Sequence, residues 1–171
     1  MSAKRLSSTA VLAAVYALTT LLLAPLSFGV VQCRIAEVLC LLPYYFPGSV
    51  WGLFLGCALA NLLSGNILDF LFGSLATLLS ALCVRKTRSP APACVWPVLF
   101  NGAIVGAVLT LGYENISILA NPRVYALNAL SVALGEALVV FGLGLPLLKR
   151  LPEQKLFAFL SQHFDCTKER V

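Results

Sequence analysis

Long uninterrupted apolar runs dominate this 171-residue sequence and constrain its fold more than any other feature. Several runs approach the roughly 20 residues that an α-helix needs to cross a bilayer. Hydrophobic residues make up 60% of the chain and charged residues only 11%, against about 25% charged residues in soluble domains. A soluble fold of this size cannot bury so much apolar surface. Since the runs are continuous rather than alternating, they predict membrane helices and exclude a β-barrel.

The apolar runs divide into four clear segments and one ambiguous stretch. The clear segments are Leu6–Ala24, Ile67–Val84, Val95–Leu111 and Val124–Leu148. The stretch Ile35–Leu63 is too long for one ordinary crossing, and Pro47-Gly48 interrupts it. Between the first segment and this stretch we expect a loop, which contains Pro25, Ser27, Gly29, Gln32 and Arg34.

Loop charges determine how many crossings the chain makes. Lys4-Arg5 precede the first helix, and the basic cluster 85–88 follows the run that ends at Val84. Positive loops stay in the cytoplasm, so an even number of crossings separates these clusters. Ile35–Leu63 must then form two short helices. The sequence therefore predicts an all-α integral membrane protein with six transmembrane helices, cytoplasmic N and C termini, and ten of its twelve Lys and Arg inside.

The second helix of this scheme is short. Ile35–Phe46 would span about 18 Å at 1.5 Å per residue, against a hydrocarbon core of about 30 Å. Such a helix persists where the protein shields its ends or where it lines a cavity. This helix is therefore the first indication of a binding site.

The chain divides into a transmembrane domain, residues 1–150, and a tail, residues 151–171. In the tail, Leu156, Phe157, Leu160 and Phe164 fall on one helical face. This pattern fits a short amphipathic helix at the inner membrane surface. A disordered tail is the alternative.

Three carboxylates fall inside the predicted helices, where an ionisable group is costly and marks a functional site. Glu136 lies in the middle of the sixth run, Glu37 near the start of the second helix and Asp69 near the start of the fourth. A helix cap would also explain Asp69, and a local pair with Arg34 would explain Glu37. A buried structural hydrogen bond is the alternative for Glu136.

Neutral polar residues accompany the carboxylates. Asn61, Asn101 and Asn128 all lie in predicted helices, where such residues also bond one helix to another. Together with the carboxylates they predict a polar cavity open to the outside. The loop between helices 1 and 2 and the loop Gly112–Arg123 would cover it.

Helix 1 has a different character. Ala10, Ala13, Ala14 and Ala17 give two pairs of small residues spaced four apart, which lets another helix approach closely. The six cysteines lack the spacing of a metal or redox motif, so we interpret them as packing residues. No nucleotide-binding loop and no catalytic motif is visible, so neither enzymatic activity nor a cofactor is expected, and active transport would need other subunits.

Several stretches of this sequence resemble the QueT family. These are Gln32–Glu37 followed by Leu41–Pro43, Gly52–Leu63, Asp69–Leu78, Asn101-Gly102, and Ser131–Glu136 through to Gly144–Leu147. The resemblance extends to about Arg150, and Asp69–Leu78 is its most specific part. Members of that family are substrate-binding (S) components of energy-coupling factor (ECF) transporters in the bacterial cell membrane.

The resemblance implies the fold, the substrate and the partners. It implies an S component of six helices that captures a queuosine precursor, a 7-deazaguanine such as queuine or 7-aminomethyl-7-deazaguanine. Such a component docks on a transmembrane scaffold subunit that carries two ATPases. Small residues of helix 1 contact the scaffold in S components, which gives the four alanines a docking role.

The proposed site suits that ligand. A deazaguanine presents adjacent N–H donors, which fit a carboxylate, and a carbonyl acceptor, which fits Asn, Gln or Arg. We therefore expect Glu37 or Glu136 to hold the purine-like edge, with the other near the exocyclic amine. The rest of the substrate-binding set is Gln32, Arg34, Asn61, Asp69, Asn101 and Asn128.

Three other functions remain open from the sequence. One is an S component for another small vitamin or nucleobase, since such proteins share a fold and differ in the lining of the site. Another is a membrane assembly protein that uses the alanines of helix 1 and has no ligand cavity. A membrane enzyme is disfavoured by the missing catalytic groups. Nucleic acid is not an expected partner, because the basic residues cluster in the loops and tails.

Overall fold

The computed structural model describes residues 3–27, 33–65 and 67–166, and within these ranges every regular element is a helix. Three helices are long and apolar enough to cross a membrane, α1, α5 and α6, and two shorter apolar helices lie between them, α2 and α3. The bounds are α1 Ala3–Leu22, α2 Ile35–Tyr44, α3 Val50–Leu63, α4 residues 67–86, α5 Pro90–Tyr113, α6 Pro122–Glu153 and α7 Lys155–His163. The prediction of an all-helical chain with membrane-spanning helices is confirmed.

Several predicted helix ends are wrong. The predicted loop at Pro25 begins instead with one more helical turn, Ala24–Ser27, because proline is tolerated in the first turn of a helix. Helices α5 and α6 begin earlier than the apolar runs do, at Pro90 and Pro122. Proline is favoured at this first helical position, since its missing N–H has no helical partner there. The rest of that loop, residues 28–32 with Gln32, lies outside the described residues.

Glycine contacts show how the long helices are oriented. Gly52 and Gly56 of α3 lie against Thr9 and Ala13 of α1, in the same order along the chain, so α1 and α3 run parallel. A side-chain carbon on Gly56 would lie only 2.7 Å from the Ala13 carbonyl oxygen, so the two backbones are in close contact. Ala13 of α1 therefore serves packing within the chain.

Helices α2, α4 and α6 run in the opposite direction. Glu37 contacts Thr77, and Tyr44 bonds to the Arg88 carbonyl just beyond α4, so α2 and α4 are parallel. Glu136 lies near Glu37 and Gly144 packs on Leu41, so α6 is parallel to α2. Cys57 and Asn61 of α3 contact Thr77 and Asp69 of α4 in reverse order, so these two helices are antiparallel. Gly102 and Gly106 of α5 pack on Ala133 and Ala129 of α6, again in reverse order, so helices α1 to α6 alternate in direction.

One end of the bundle carries most of the basic residues, and we call it the basic end. Arg5 at the start of α1 pairs with Asp165 after α7, and Phe164 lies 3.7 Å from where a side chain on Gly48 would be. The basic end includes Lys4, Arg5, Arg85, Lys86, Arg88, Lys149, Arg150 and Lys155, all exposed. The chain therefore returns to this end after every second helix.

Helix α2 is a 3-10 helix of ten residues. The bond from the Glu37 N–H to the Arg34 carbonyl at 2.9 Å begins this pattern. At about 2.0 Å per residue the helix spans about 20 Å, so the prediction of a short second helix is confirmed. With about three residues per turn, every third side chain stacks in one row. That row consists of Arg34, Glu37, Cys40 and Pro43, all buried, and we call it the inner row.

The tail contains a short helix, α7, which packs on the bundle. Phe157 stacks edge-on against Tyr45 with ring centres 5.5 Å apart, and Phe164 contacts Phe46 and is only 7% exposed. Leu156 differs from the prediction, because it points away from this packed face and is 54% exposed. The aromatic contacts close the end of the bundle next to the short helix α2.

Phe164→Ala is expected to release α7, whereas Asp165→Asn is not. Truncating a buried phenylalanine costs about 3–5 kcal/mol in a core, while an exposed ion pair such as Arg5–Asp165 contributes about 0–1 kcal/mol. Limited proteolysis in detergent should therefore cut Phe164→Ala near residue 154 much faster than the parent. Equal cutting of the two variants would contradict the aromatic anchoring of α7.

Candidate functional site

Glu37 on the inner row joins three helices through its carboxylate. One oxygen, Oε1, accepts hydrogen bonds from the Tyr16 hydroxyl at 2.5 Å and from the Thr77 hydroxyl at 3.0 Å. Tyr16 belongs to α1 and Thr77 to α4, and the Glu37 side chain is fully buried. The other oxygen, Oε2, has no partner among the described residues. The carboxylate is thus fixed by one oxygen and has the other available.

Cys57 of α3 lies at the centre of a second set of contacts. Its sulfur accepts hydrogen bonds from Arg34 at 3.5 Å and from Asn61 at 3.4 Å, and it lies 3.3 Å from the Thr77 hydroxyl oxygen, whose single proton is donated to Glu37. Its thiol lies 3.8 Å from the Gly73 carbonyl oxygen, which can accept from it. The interpretation of Cys57 as a packing residue is therefore incomplete, because it also connects α2, α3 and α4.

The other five cysteines are spread over the bundle, and of these Cys40 and Cys94 are buried. All six are free thiols. Among the residues that the structure describes, no group of acidic, histidine and cysteine side chains could hold a metal ion.

Asn61 extends this set towards α4. Its side-chain amide donates to the Asp69 carbonyl at 2.8 Å, while its amide oxygen Oδ1 is buried without a described partner. A side chain on Gly73 would lie 2.9 Å from the same amide, so only glycine fits here. Asp69–Gly73 forms a π-helical turn, a local widening of the helix that is frequent at functional sites.

Glu136 of α6 adds a second buried carboxylate to this group. It is 2% exposed, and both Arg34 and Glu37 are close enough to act on it electrostatically. Its oxygen Oε2 has no partner among the described residues. We call this set the polar cluster, and its members are Tyr16, Arg34, Glu37, Cys57, Asn61, Thr77 and Glu136.

Asn101 and Ser74 border the polar cluster. Asn101 begins a π-helical turn, Asn101–Val105, which packs on α6 and on the π-helical turn Asp69–Gly73 of α4. Both atoms of its amide are buried without a described partner, as is the Ser74 hydroxyl. Ser74 lies three residues before Thr77 and therefore on the same face of α4.

Two predicted site residues lie apart from the carboxylates. The Asp69 side chain accepts a hydrogen bond from Tyr113 at 2.8 Å. Asn128 donates to Thr110 and to Glu114, both at 3.0 Å. Both contacts tie down the far end of α5, where the chain turns towards α6. They form a second polar group next to the loop that was expected to cover the site.

The predicted opening to the outside is absent from the described part of the chain. Glu37 is 0% exposed and Glu136 is 2% exposed, so the polar cluster is closed in this structure. Open grooves lie elsewhere, along α1, α2, α6 and α7. Any ligand of the polar cluster must therefore enter through a movement of the parts of the protein that surround the cluster.

Sequence reasoning missed three members of the polar cluster, namely Tyr16, Cys57 and Thr77. Each is uncharged and common in membrane helices, so none is costly enough to be singled out. A signal was present for Cys57, which lies four residues before Asn61 and therefore on the same helical face.

The four alanines of α1 divide into two pairs. Ala13 and Ala17 are buried within the bundle, and Ala10 and Ala14 are exposed. Close packing against α3 accounts for Ala13 directly. Only Ala10 and Ala14 are thus available to a partner in this conformation.

Comparison with known proteins identifies the family. A search of curated proteins and a search of solved structures found no match. The family model described as QueT transporter matches residues 6–153 and thus covers most of the chain, including every member of the polar cluster. It is a family of transporters, which agrees with the apolar helices and the buried polar cluster between them. The chain therefore belongs to the QueT transporter family.

Proposed function

We propose that this chain is the substrate-capture component of an ECF-type importer. It binds a queuosine precursor, a 7-deazaguanine such as queuine or 7-aminomethyl-7-deazaguanine, and delivers it inwards. Membership of a transporter family supports this proposal, as does the lack of a nucleotide-binding loop in the sequence. A separate scaffold subunit with two ATPases supplies the energy.

The proposed orientation places six helices across the bacterial plasma membrane with both termini in the cytoplasm. The alternating helix directions support it, because the basic residues collect at one end of the bundle. Positive residues favour the cytoplasmic side, so the basic end faces inwards. The polar cluster then lies closer to the outer surface than α7 does. Residues 1–150 form the transmembrane domain and residues 151–171 the cytoplasmic tail.

Unpaired buried acceptors are the observation that carries the proposal. One oxygen each of Glu37, Glu136 and Asn61 is buried without a described partner. An unsatisfied buried polar atom costs about 1–3 kcal/mol, and more when it is charged. A ligand rich in N–H donors removes this cost. A 7-deazaguanine supplies adjacent donors on its pyrimidine edge, which suit a carboxylate.

Charge and the remaining polar atoms favour the same ligand class. Two carboxylates, Glu37 and Glu136, face one guanidinium, that of Arg34. A cationic amine such as that of the aminomethyl precursor can pair with a carboxylate that Arg34 does not neutralise. The Asn101 amide, unpaired at both atoms, suits the carbonyl and a neighbouring N–H of the base.

Docking on the scaffold would use the exposed alanines of α1. Ala10 and Ala14 lie four residues apart on the outside of the bundle, where another helix can approach closely. Ala13 and Ala17 contribute indirectly, because they hold α1 against the rest of the protein.

Thermal unfolding of the purified protein with candidate ligands tests the proposal. Queuine and 7-aminomethyl-7-deazaguanine should raise the melting temperature, since a ligand at 100 times its Kd stabilises by about 2.7 kcal/mol. The neutral 7-cyano analogue should bind more weakly. A shift with riboflavin, thiamin or biotin instead would make the chain a component for another vitamin. A shift with none of these would favour a membrane assembly protein.

A further inference from the structure

A second, apolar groove lies on the outside of the bundle, away from the polar cluster. Leucines of α2 form one wall, among them Leu39 and Leu42, and leucines of α6 form the other, among them Leu147. The groove has a volume of about 480 Å³. Its lining is apolar except at one end, where Arg150 and Gln154 lie.

The groove follows from the short length of α2. Helices α2 and α6 are in contact where Leu41 meets Gly144. Beyond this contact α2 soon ends at Tyr44, whereas α6 continues to Glu153. On this part of α6, Leu147 is 58% exposed and Leu151 is half-buried, whereas Leu148 is buried. In a membrane protein this surface faces lipid or a membrane partner.

A neighbouring groove is separated from the first by a ridge. It lies between α1, α2 and α7, and has a volume of about 350 Å³. Leu39, Leu42 and Leu156 line both grooves and thus form the ridge between them. Two apolar grooves that share one ridge match the two acyl chains of a diacyl lipid.

The charge at the end of the groove indicates which kind of lipid fits. Arg150 is exposed and makes no ion pair with any residue that the structure describes. It lies at the basic end, next to Lys149, where α6 leaves the bundle. A guanidinium recognises phosphate through paired N–H donors, and basic residues at this level attract anionic headgroups.

We infer that the groove between α2, α6 and α7 binds one anionic phospholipid. The phosphate lies on Arg150 and Gln154, one acyl chain follows the wall formed by Leu147, and the second chain crosses the ridge. Occupation covers Leu147 of α6 and fixes α7 at the membrane surface. This site is distinct from the polar cluster and independent of the transported ligand.

Native mass spectrometry of the full-length protein tests the inference. The probes are phosphatidylglycerol and phosphatidylcholine with identical acyl chains, and glycerol phosphate without them. The parent should retain one phosphatidylglycerol with about tenfold preference over phosphatidylcholine, because both lipids carry the phosphate but the choline cation cancels the net negative charge that Arg150 and Lys149 attract. Glycerol phosphate should not be retained. Equal retention of the two lipids, or retention of glycerol phosphate alone, would overturn the inference.

Two pairs of variants locate the lipid. Arg150→Gln should abolish the headgroup preference, whereas Lys86→Gln, at the same end but outside the groove, should keep it. Leu147→Trp should fill the groove and displace both lipids, whereas Leu138→Trp, on the same helix and 70% exposed, should not. If Leu147→Trp retains lipid but loses binding to the energising subunits, the groove is a protein interface and the inference is wrong.

Discussion

Glu37→Gln is expected to weaken the binding of 7-aminomethyl-7-deazaguanine by up to about 100-fold, since a hydrogen bond to a charged group contributes about 1.5–3 kcal/mol. Glutamine has the same shape, so its oxygen can still accept from Tyr16 and Thr77. Its NH₂ group then replaces Oε2 and presents donors to the donors of the ligand. Isothermal titration calorimetry in detergent measures the change in affinity.

Glu136→Gln should weaken binding to a similar degree. The melting temperature without ligand should stay near that of the parent in both variants, because glutamine keeps the shape of glutamate and leaves the other carboxyl group beside Arg34. Glu153→Gln, exposed near the basic end, is the matched control and should bind as the parent does. If Glu37→Gln and Glu136→Gln both bind as tightly as the parent, the assignment of the site is wrong.

Gly56→Ala is expected to destabilise the protein and to impair the site at a distance. The added carbon would lie 2.7 Å from the Ala13 carbonyl oxygen and 3.0 Å from its Cα, so the backbone of α1 must shift. Such overpacking costs about 1–3 kcal/mol. It would also press on the Cβ atom of Tyr16, 2.8 Å away, and so disturb the hydrogen bond to Glu37.

A matched control separates this effect from helix propensity. A side-chain carbon on Gly142 meets no atom within 4 Å. Gly142→Ala should therefore leave the melting temperature unchanged or raise it, by up to about 1 kcal/mol in stability. Both variants should be compared by thermal unfolding and by ligand affinity. If Gly56→Ala is as stable as Gly142→Ala, the close approach of α1 and α3 is not required.

The helices were largely predictable from the sequence because their surroundings are lipid rather than water. In lipid, an unpaired backbone group is so costly that each apolar run must be a helix. Hydropathy does not mark the ends well, however. Pro90 and Pro122 begin helices before the apolar runs start, following Ser89 and Asn121. A polar N-cap residue followed by proline marks the start of a helix, and this local pattern is independent of hydropathy.

The site residues that carry a charge were predictable from the sequence, because a charged side chain inside a membrane is costly. Glu37 and Glu136 were singled out for that reason, and the structure brings them together around Arg34. Tyr16 and Thr77 were not, because their role depends on how α1 and α4 rotate to face α2. Asp69 and Asn128 were also singled out from the sequence, but their side chains bond to Tyr113 and Glu114 and lie apart from the polar cluster. The sequence does not show which neighbouring helix a polar side chain faces.

The inner row of α2 restricts how this segment can change in length without losing its buried contacts. In an ordinary α-helix, positions spaced by three drift around the axis, whereas a 3-10 helix keeps them aligned. A single inserted codon just before Cys40 would turn the following side chains by about 120°, or one third of a turn. Cys40 would then leave the row. Insertion of three codons would restore the alignment, so changes of length that keep the inner row intact should come in multiples of three residues.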